Sequence, residues 1–322
     1  LMVEKGYLTA DQVKQVFQHQ GTQGGHTQMA GYKILTKIGQ GAMGTIYKAQ
    51  QVSMDRLVAI KVLSPKYAAN PSFRERFFRE ARAVAKLNHP NIIQGIDVGE
   101  SNGIQYFAME YVDGPTVGEL LKRGGAMDEK RAIHIVTQIA RALSNACQHG
   151  IIHRDIKPDN IMVTREQTAK LCDLGLAKIA SEENRGATRV GMSMGTPYYI
   201  SPEAARGDAD IDTRSDIYSL GATFFHMVTG DVPFPAENAA GAIMRHLTDA
   251  PPLAGQKNPL VSGRTEYVIL RMLQKPREMR HQTLQELLKD LELIAAGHNP
   301  AGYSPQAVPP PKKPQLKMGD NT

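Results

Sequence analysis

An α+β fold is what this sequence predicts, and three observations predict it. Apolar and polar residues alternate on both sides of Gly39-Gln40-Gly41-Ala42-Met43-Gly44, the period of half-buried strands, and residues 57–63 make a short apolar run of strand length. Residues 71–87 and 216–228 instead read as helices, the second apolar enough to be buried. At 322 residues, 41% of them hydrophobic, the chain can bury a large core divided between two lobes.

The N-terminal segment stands apart. Thr9-Ala10-Asp11-Gln12 forms a capping box, Leu8 and Val13 a hydrophobic staple, and Val13, Val16 and Phe17 one apolar stripe, so a short helix is expected over residues 10–20. Such a helix is not stable alone in water, so it is expected to dock on this chain or on a partner. Residues 21–28, rich in Gly, Gln and Thr, read as a linker, and 1–31 are set off from the rest of the chain.

A lone GxGxxG motif says little. Here Ile38 and Ile46 flank it, and the chain does not open a helix as a dinucleotide fingerprint would. It runs on as a strand over residues 45–51, turns at Ser53-Met54-Asp55-Arg56, and returns in a second strand carrying Val58-Ala59-Ile60-Lys61. Gly39, Gly41 and Gly44 are expected to bring backbone amides close to phosphate, since a Cβ there would hold the loop off. Lys61 lies in an apolar strand, where a buried ammonium requires a carboxylate. The helix over residues 71–87 carries Glu80, nineteen positions later.

The most informative stretch is His153-Arg154-Asp155-Ile156-Lys157-Pro158-Asp159-Asn160, followed by Asp173-Leu174-Gly175. Turn chemistry at Pro158-Asp159-Asn160 would account for a local bend but not for the distant Asp173. A candidate base, a cation for phosphate and two oxygen donors suited to magnesium fall close together, which points to phosphoryl transfer.

Taken in order, these motifs resemble the protein kinase family over residues 32–296: glycine loop, strand lysine, helix glutamate, His-Arg-Asp, Asp-Leu-Gly, Ser201-Pro202-Glu203, Asp216 and Arg280. Lys157 and Gly195-Thr196-Pro197-Tyr198-Tyr199 are similar to the serine/threonine branch, and the Gly-Ala-Met-Gly wording to the eukaryotic-like (Hanks-type) kinases of bacteria. The resemblance implies a bilobal fold: a small antiparallel sheet with one major helix over residues 32–112, then a larger, mainly helical lobe over 113–297. It implies ATP and Mg2+ as cofactors, proteins bearing Ser or Thr as substrates, and autophosphorylation.

Residue by residue, the resemblance makes Asp155 the base, Lys157 a phosphoryl contact, and Lys61 with Glu80 the pair that presents an ammonium to the α- and β-phosphates. Asn160 and Asp173 are the implied metal ligands. Residues 38–46, that is Ile38, Gly39, Gln40, Gly41, Ala42, Met43, Gly44, Thr45 and Ile46, cover the nucleotide. Ala59 and Met162 sandwich the adenine, Met109 is the gatekeeper, and Glu110 and Val112 supply backbone bonds to the base edge. Thr196 contacts Asp155, while Glu203 and Arg280 form a buried pair holding the substrate-docking segment.

Regulation is expected in residues 173–203, a long polar stretch. Thr188 is the main expected phosphorylation site and Ser193 the second, and the resemblance implies that Arg154, Lys178 and Arg76 receive the phosphate. Two departures from the family pattern stand out. Leu174 replaces the more usual Phe, and Gly95 falls near a position where similar kinases place a bulky residue of the inter-lobe stack, so a looser stack is expected there.

Composition excludes more than it assigns. The net charge of +6 and pI near 9.2 come from dispersed cations with no nucleic-acid motif, so no nucleic-acid partner is expected. Cys147 and Cys172 are too few for a disulfide framework, which favours a reducing, cytoplasmic setting, and Cys172 reads as a packed core thiol. No apolar run reaches the roughly eighteen residues of a membrane helix, and no signal peptide is visible. The chain begins at Leu1, which leaves room for upstream sequence. Residues 298–322, with prolines at 300, 305, 309–311 and 314, are expected to be a disordered or extended tail. Two other functions compete: a pseudokinase that senses nucleotide or scaffolds partners, which loss of Lys61, Asp155, Asn160 or Asp173 would favour, and a small-molecule phosphotransferase, which the docking segment at 195–203 argues against.

Overall fold

The computed structural model describes residues 28–41, 43–173 and 197–304. The chain divides into two compact units, the first drawn from Leu1–Thr116, Asn145–Asp155 and Asn160–Gly195, the second from Val117–Ser144, Ile156–Asp159 and Thr196–Thr322.

The first unit is built on a sheet of strands β1 (Gln28–Met29), β2 (Tyr32–Gly41), β3 (Gly44–Gln51), β4 (Arg56–Leu63), β5 (Gly95–Ser101) and β6 (Ile104–Glu110), antiparallel throughout in the order β1-β2-β3-β4-β6-β5. The hairpin turn between β3 and β4 holds Asp55 at φ +48°, a left-handed position that Asp tolerates. Inward residues Tyr32, Ala49, Val58, Ile60, Tyr106 and Ala108 make one core layer.

After the short helix α1 (Pro65–Ala68), α2 (Pro71–Ala85) starts where sequence and chemistry agree. Asn70 caps it by accepting from the Phe73 amide at 3.2 Å, and Pro71 sits in the first turn, where its missing N–H costs nothing. Phe73, Phe77, Ala81 and Val84 recur on its buried face. The helix was expected to reach residue 87. It ends at Ala85 because the next turn tightens to three-residue bonds, Lys86 N to Ala83 O and Leu87 N to Val84 O.

Two later strands, β7 (Ile161–Val163) and β8 (Ala169–Leu171), form their own ladder and join the first unit. The Ile93 amide donates to Leu171 O, Leu171 N to Asn91 O, and Val163 N to Pro115 O. These bonds carry the first unit past residue 112, to Thr116, and recruit the chain around the His-Arg-Asp stretch.

The second unit holds α3 (Val117–Gly124), α4 (Glu129–Gln148, its last turn counted with the first unit), α5 (Pro202–Arg206), α6 (Thr213–Thr229), α7 (Ala239–Thr248), α8 (Ala254–Lys257), α9 (Gly263–Met272) and α10 (Leu284–Ala295). Helix α6 is buried on every face, as its apolar run predicts. It begins before residue 216 because Asp212 accepts from the Arg214 amide at 2.8 Å and so caps it. Its Gly221 lets α9 cross closely, since a Cβ there would lie 2.6 Å from Met272 Cβ.

The tail departs from expectation at its start. Residues 298–304 are anchored at three points: Pro300 is buried, the Ala301 amide donates to Asp290 Oδ1 at 3.0 Å, and Tyr303 meets Tyr267 edge-on at 5.7 Å between ring centroids. An aromatic and one satisfied backbone donor suffice to dock a segment that proline content alone marks as extended. Among the described residues, no helix is long and apolar enough to cross a membrane.

Candidate active site

Strand β4 delivers Lys61 into the core of the first unit, 9% exposed, and its Nζ lies 2.7 Å from Asp173 Oδ1. A buried ammonium thus finds a carboxylate, as its apolar surroundings require. Glu80 lies on α2, but its side chain falls outside the described residues.

Asp173 lies two residues past the end of β8 and is held at φ +57°, while Arg154 is held at φ +67°. Both are non-glycine residues in the left-handed region, a conformation that persists only where the surroundings over-determine it. His153 supplies part of that determination. Fully buried, it accepts from the Asp155 amide through Nδ1 at 3.2 Å and lies 2.9 Å from the Cys172 carbonyl through Nε2. These two bonds assign the ring proton to Nε2.

Asn160, in the single-turn helix Pro158–Asn160, closes the arrangement. Its Nδ2 donates to the Asp155 carbonyl at 2.7 Å and to Asp155 Oδ2 at 3.0 Å, and its own carbonyl accepts from the Cys172 amide at 2.9 Å. His153, Asp155, Asn160 and the Cys172 backbone are therefore tied into one bonded ring, and Asp173, the next residue along the chain from Cys172, carries the bond to Lys61. With Nδ2 committed to Asp155, Asn160 Oδ1 is left as the oxygen donor of its amide. Lys157, two residues past Asp155 and counted with the second unit, is half-buried. Cys172 is half-buried; desolvation of its thiol pushes the pKa up, and the Asp173 charge pushes it further.

The glycines differ in what they do. Gly41 has nothing within 4 Å of where a Cβ would stand, and Gly39 has only Ile46 carbons at 3.7 and 3.8 Å. These two fit the open phosphate-facing role. Gly44 does not: a Cβ there would lie 1.9 Å from the Val62 carbonyl, so its missing side chain serves the β3–β4 pairing. Thr45 pairs with Val62, Ile46 with Lys61 and Ala59 with Met109 across neighbouring strands, while Gln40 pairs with Thr45 in the hairpin. Ile38 is 47% exposed, Met43 and Ile46 are half-buried, and Ala59, Met109 and Val112 are buried. Met162 lies in β7 and bridges to Thr116. Ala42 is outside the described residues.

One contact that sequence reading missed fixes the segment after β6. The Glu110 carboxylate receives Lys170 Nζ at 2.8 Å on one oxygen and 2.9 Å on the other, and the Gln94 amide at 3.3 Å. The signal was a lone lysine in the apolar run of β8. Gly114 was missed as well; a Cβ there would meet Val163 O at 2.1 Å, so the post-β6 chain lies directly on β7.

In the second unit, Arg280 and Glu203 are each 1% exposed and pair at 2.7 and 2.8 Å. The remaining guanidinium donors go to Gln274 O, Arg214 O and Lys275 O, so all five N–H groups are used. Burial alone would raise the Glu203 carboxyl, but the hydrogen bonds and charge of Arg280 outweigh it and hold the group below the usual carboxylate range. Asp216 is buried in α6, and Arg76 is half-buried on α2, donating to Ser72 O at 3.2 Å. Leu174, Lys178, Thr188, Ser193 and Thr196 lie outside the described residues.

A protein-family model described as a protein kinase domain matches residues 32–291. The chain is 36% identical to the serine/threonine-protein kinase pkn3 of Myxococcus xanthus over 90% of its own length and 57% of that protein. It is 38% identical to the serine/threonine-protein kinase PrkC of Bacillus subtilis, over 81% of this chain and 40% of that one. It is 37% identical to PknB of Mycobacterium tuberculosis, over 84% and 44%. The chain thus spans about half the length of the curated relatives it matches. Among solved structures, the kinase domain of M. tuberculosis PknI superposes with a TM-score of 0.67 at 30% identity, covering 86% of this chain and all of that one.

Proposed function

This chain belongs to the protein kinase domain family, and on that premise we propose that it transfers the γ-phosphoryl group of ATP, with Mg2+, to serine and threonine hydroxyls of proteins, its own segment around Thr188 included. The observation that carries the reading is that Asp155 and Asn160 bond each other and are tied to Cys172, while the next residue, Asp173, bonds Lys61. The same four residues weigh against a nucleotide-sensing pseudokinase, since none is lost.

The donor set suits magnesium: a carboxylate at Asp173 and an amide oxygen at Asn160, both hard oxygens. Bound there, the metal would supply charge neutralisation for the phosphates. Lys61 binds the α- and β-phosphates, and Asp155 accepts the proton of the acceptor hydroxyl while orienting its oxygen. Lys157 steadies the transferring phosphoryl oxygens. Ala59, Ile46 and Met162 exclude water around the adenine, and the backbone of Glu110 and Val112 reads its edge. Most of the acceleration comes from positioning and charge, since a loose transition state asks little of the base.

Glu203 and Arg280 hold the docking segment for protein substrates. ATP dependence and two free thiols support a cytoplasmic setting for the catalytic chain. Incubation with γ-labelled ATP, magnesium and a general protein acceptor, followed by phosphoamino-acid analysis, tests the proposal. Label on phosphoserine and phosphothreonine is expected; label on phosphotyrosine alone, or none on protein, would overturn it.

A further inference from the structure

Gly95 was expected to mark a looser stack, and the space immediately beside it is filled. A Cβ built there would lie 2.9 Å from Ala85 Cα, 3.0 Å from Ala85 Cβ and 3.2 Å from Phe107 Cε2. The last residue of α2 therefore rests on the backbone of β5 with no side-chain layer between them. The register of β5 against β6 slips immediately after the Gly95–Met109 pair, so the strand bends at this contact. What remains beside it is a cavity of about 10 Å³ lined by Ala81, Val84, Phe107 and Met109 among others, room for one water at most. The helix has closed the space that a side chain would otherwise fill, and it cannot move further in.

We infer that Gly95 is a positioning residue for phosphoryl transfer: lacking a side chain, it seats the last turn of α2 on β5 and thereby fixes the helix that carries Glu80. The inference rests on the kinase reading, in which Glu80 serves Lys61. Any Cβ at position 95 meets helix backbone, not a flexible side-chain tip, so α2 has to lift at its C-terminal end, five residues from Glu80.

The test compares Gly95→Ala with Gly99→Ala, using the full chain. Gly99 is also on β5, but its Cβ would meet the Tyr106 hydroxyl at 2.8 Å and the ring at 3.0 Å, away from α2. Three quantities are read: kcat and KM for MgATP with a general protein acceptor, the thermal midpoint, and amide hydrogen exchange over residues 71–85. Gly95→Ala is expected to lower kcat about ten-fold or more with KM within about two-fold, and to speed exchange in α2. Gly99→Ala is expected to lower the midpoint while sparing kcat and α2 exchange. Wild-type kcat in Gly95→Ala, or loss of kcat in both variants in proportion to their midpoints, would overturn the inference. If Gly95→Ala does not fold, Ala85→Val enlarges the same contact from the helix side, and wild-type kcat there would overturn it equally. Should the wild-type protein show no transfer at all, the kinase reading fails, whereas unchanged α2 exchange in Gly95→Ala fails the seating itself.

Discussion

Lys61 and Asp173, 112 positions apart in the chain, meet at 2.7 Å. The pair joins β4 to the residue two positions past β8, so each charge is met by its opposite. Lys61→Met removes the buried cation and leaves Asp173, a third exposed, without its lysine. A fall of about 10²- to 10³-fold in kcat/KM is expected, the scale seen when one preorganised charge-stabilising donor is lost. Steady-state kinetics with MgATP checks it, and an unchanged kcat/KM would contradict the role given to Lys61.

His153 ties the Asp155 amide to the Cys172 carbonyl. His153→Phe fills the volume but strands both groups, at a cost of about 1–3 kcal/mol for each that stays buried and unpaired. Denaturant unfolding and kcat should fall together. Lost stability with full kcat would show that the Asp155 backbone keeps its place without the histidine.

Gly41 and Gly44 should separate fold from binding. Gly44→Ala drives a Cβ toward the Val62 carbonyl and is expected to lower the thermal midpoint, because backbone on β4 has to move. Gly41→Ala meets nothing within 4 Å, so the midpoint should hold while KM for MgATP rises. Equal midpoints for the two variants would contradict the division of labour drawn between them.

Acid stability has two separate sources in the second unit. His246 is fully buried, bonded to the Tyr218 hydroxyl at 2.9 Å; burial first, and then the Lys275 charge, push its pKa down to about 4, against a weaker opposing bond from the Tyr198 backbone. With a folded value below the ordinary 6.5, the unfolded chain binds the extra proton, so this contribution is whole above pH 6.5 and is lost as pH falls toward 4. The loss amounts to about 3 kcal/mol, and His246→Leu should flatten that part of the unfolding free energy against pH. Glu203 acts at lower pH. Its depressed carboxyl contributes fully above its ordinary 4.5 and loses that contribution as pH drops through the lowered folded value. Glu203→Gln should remove the second, more acidic limb and cost about 3–5 kcal/mol at neutral pH through the stranded Arg280. A stability curve of the same shape in wild type and both variants would contradict these assignments.

What could be read from the sequence was whatever chemistry forces into a fixed residue order. Lys61 in its apolar strand, the Asp155 to Asn160 spacing, Asp173, the helical run from Pro71 and the buried run of α6 each carry their reason locally. Contacts whose reason lies in a distant strand were not legible. Nothing near Gly44 announces Val62, nothing near Glu110 announces Lys170, and nothing near Pro300 announces that Tyr267 and Asp290 dock its neighbours Tyr303 and Ala301. Gly95 is the sharpest instance: a missing side chain reads as a gap until the backbone of Ala85 is found against it.

The most direct test of the central claim is single-turnover phosphate transfer by Asp155→Asn beside wild type, with MgATP affinity measured on the same preparations. The ring built on Asp155 predicts transfer reduced by about 10²-fold or more at nearly unchanged nucleotide affinity, because the substitution removes the proton acceptor and leaves Lys61, Asn160 and Asp173 in place. Equal transfer by the two proteins would contradict it.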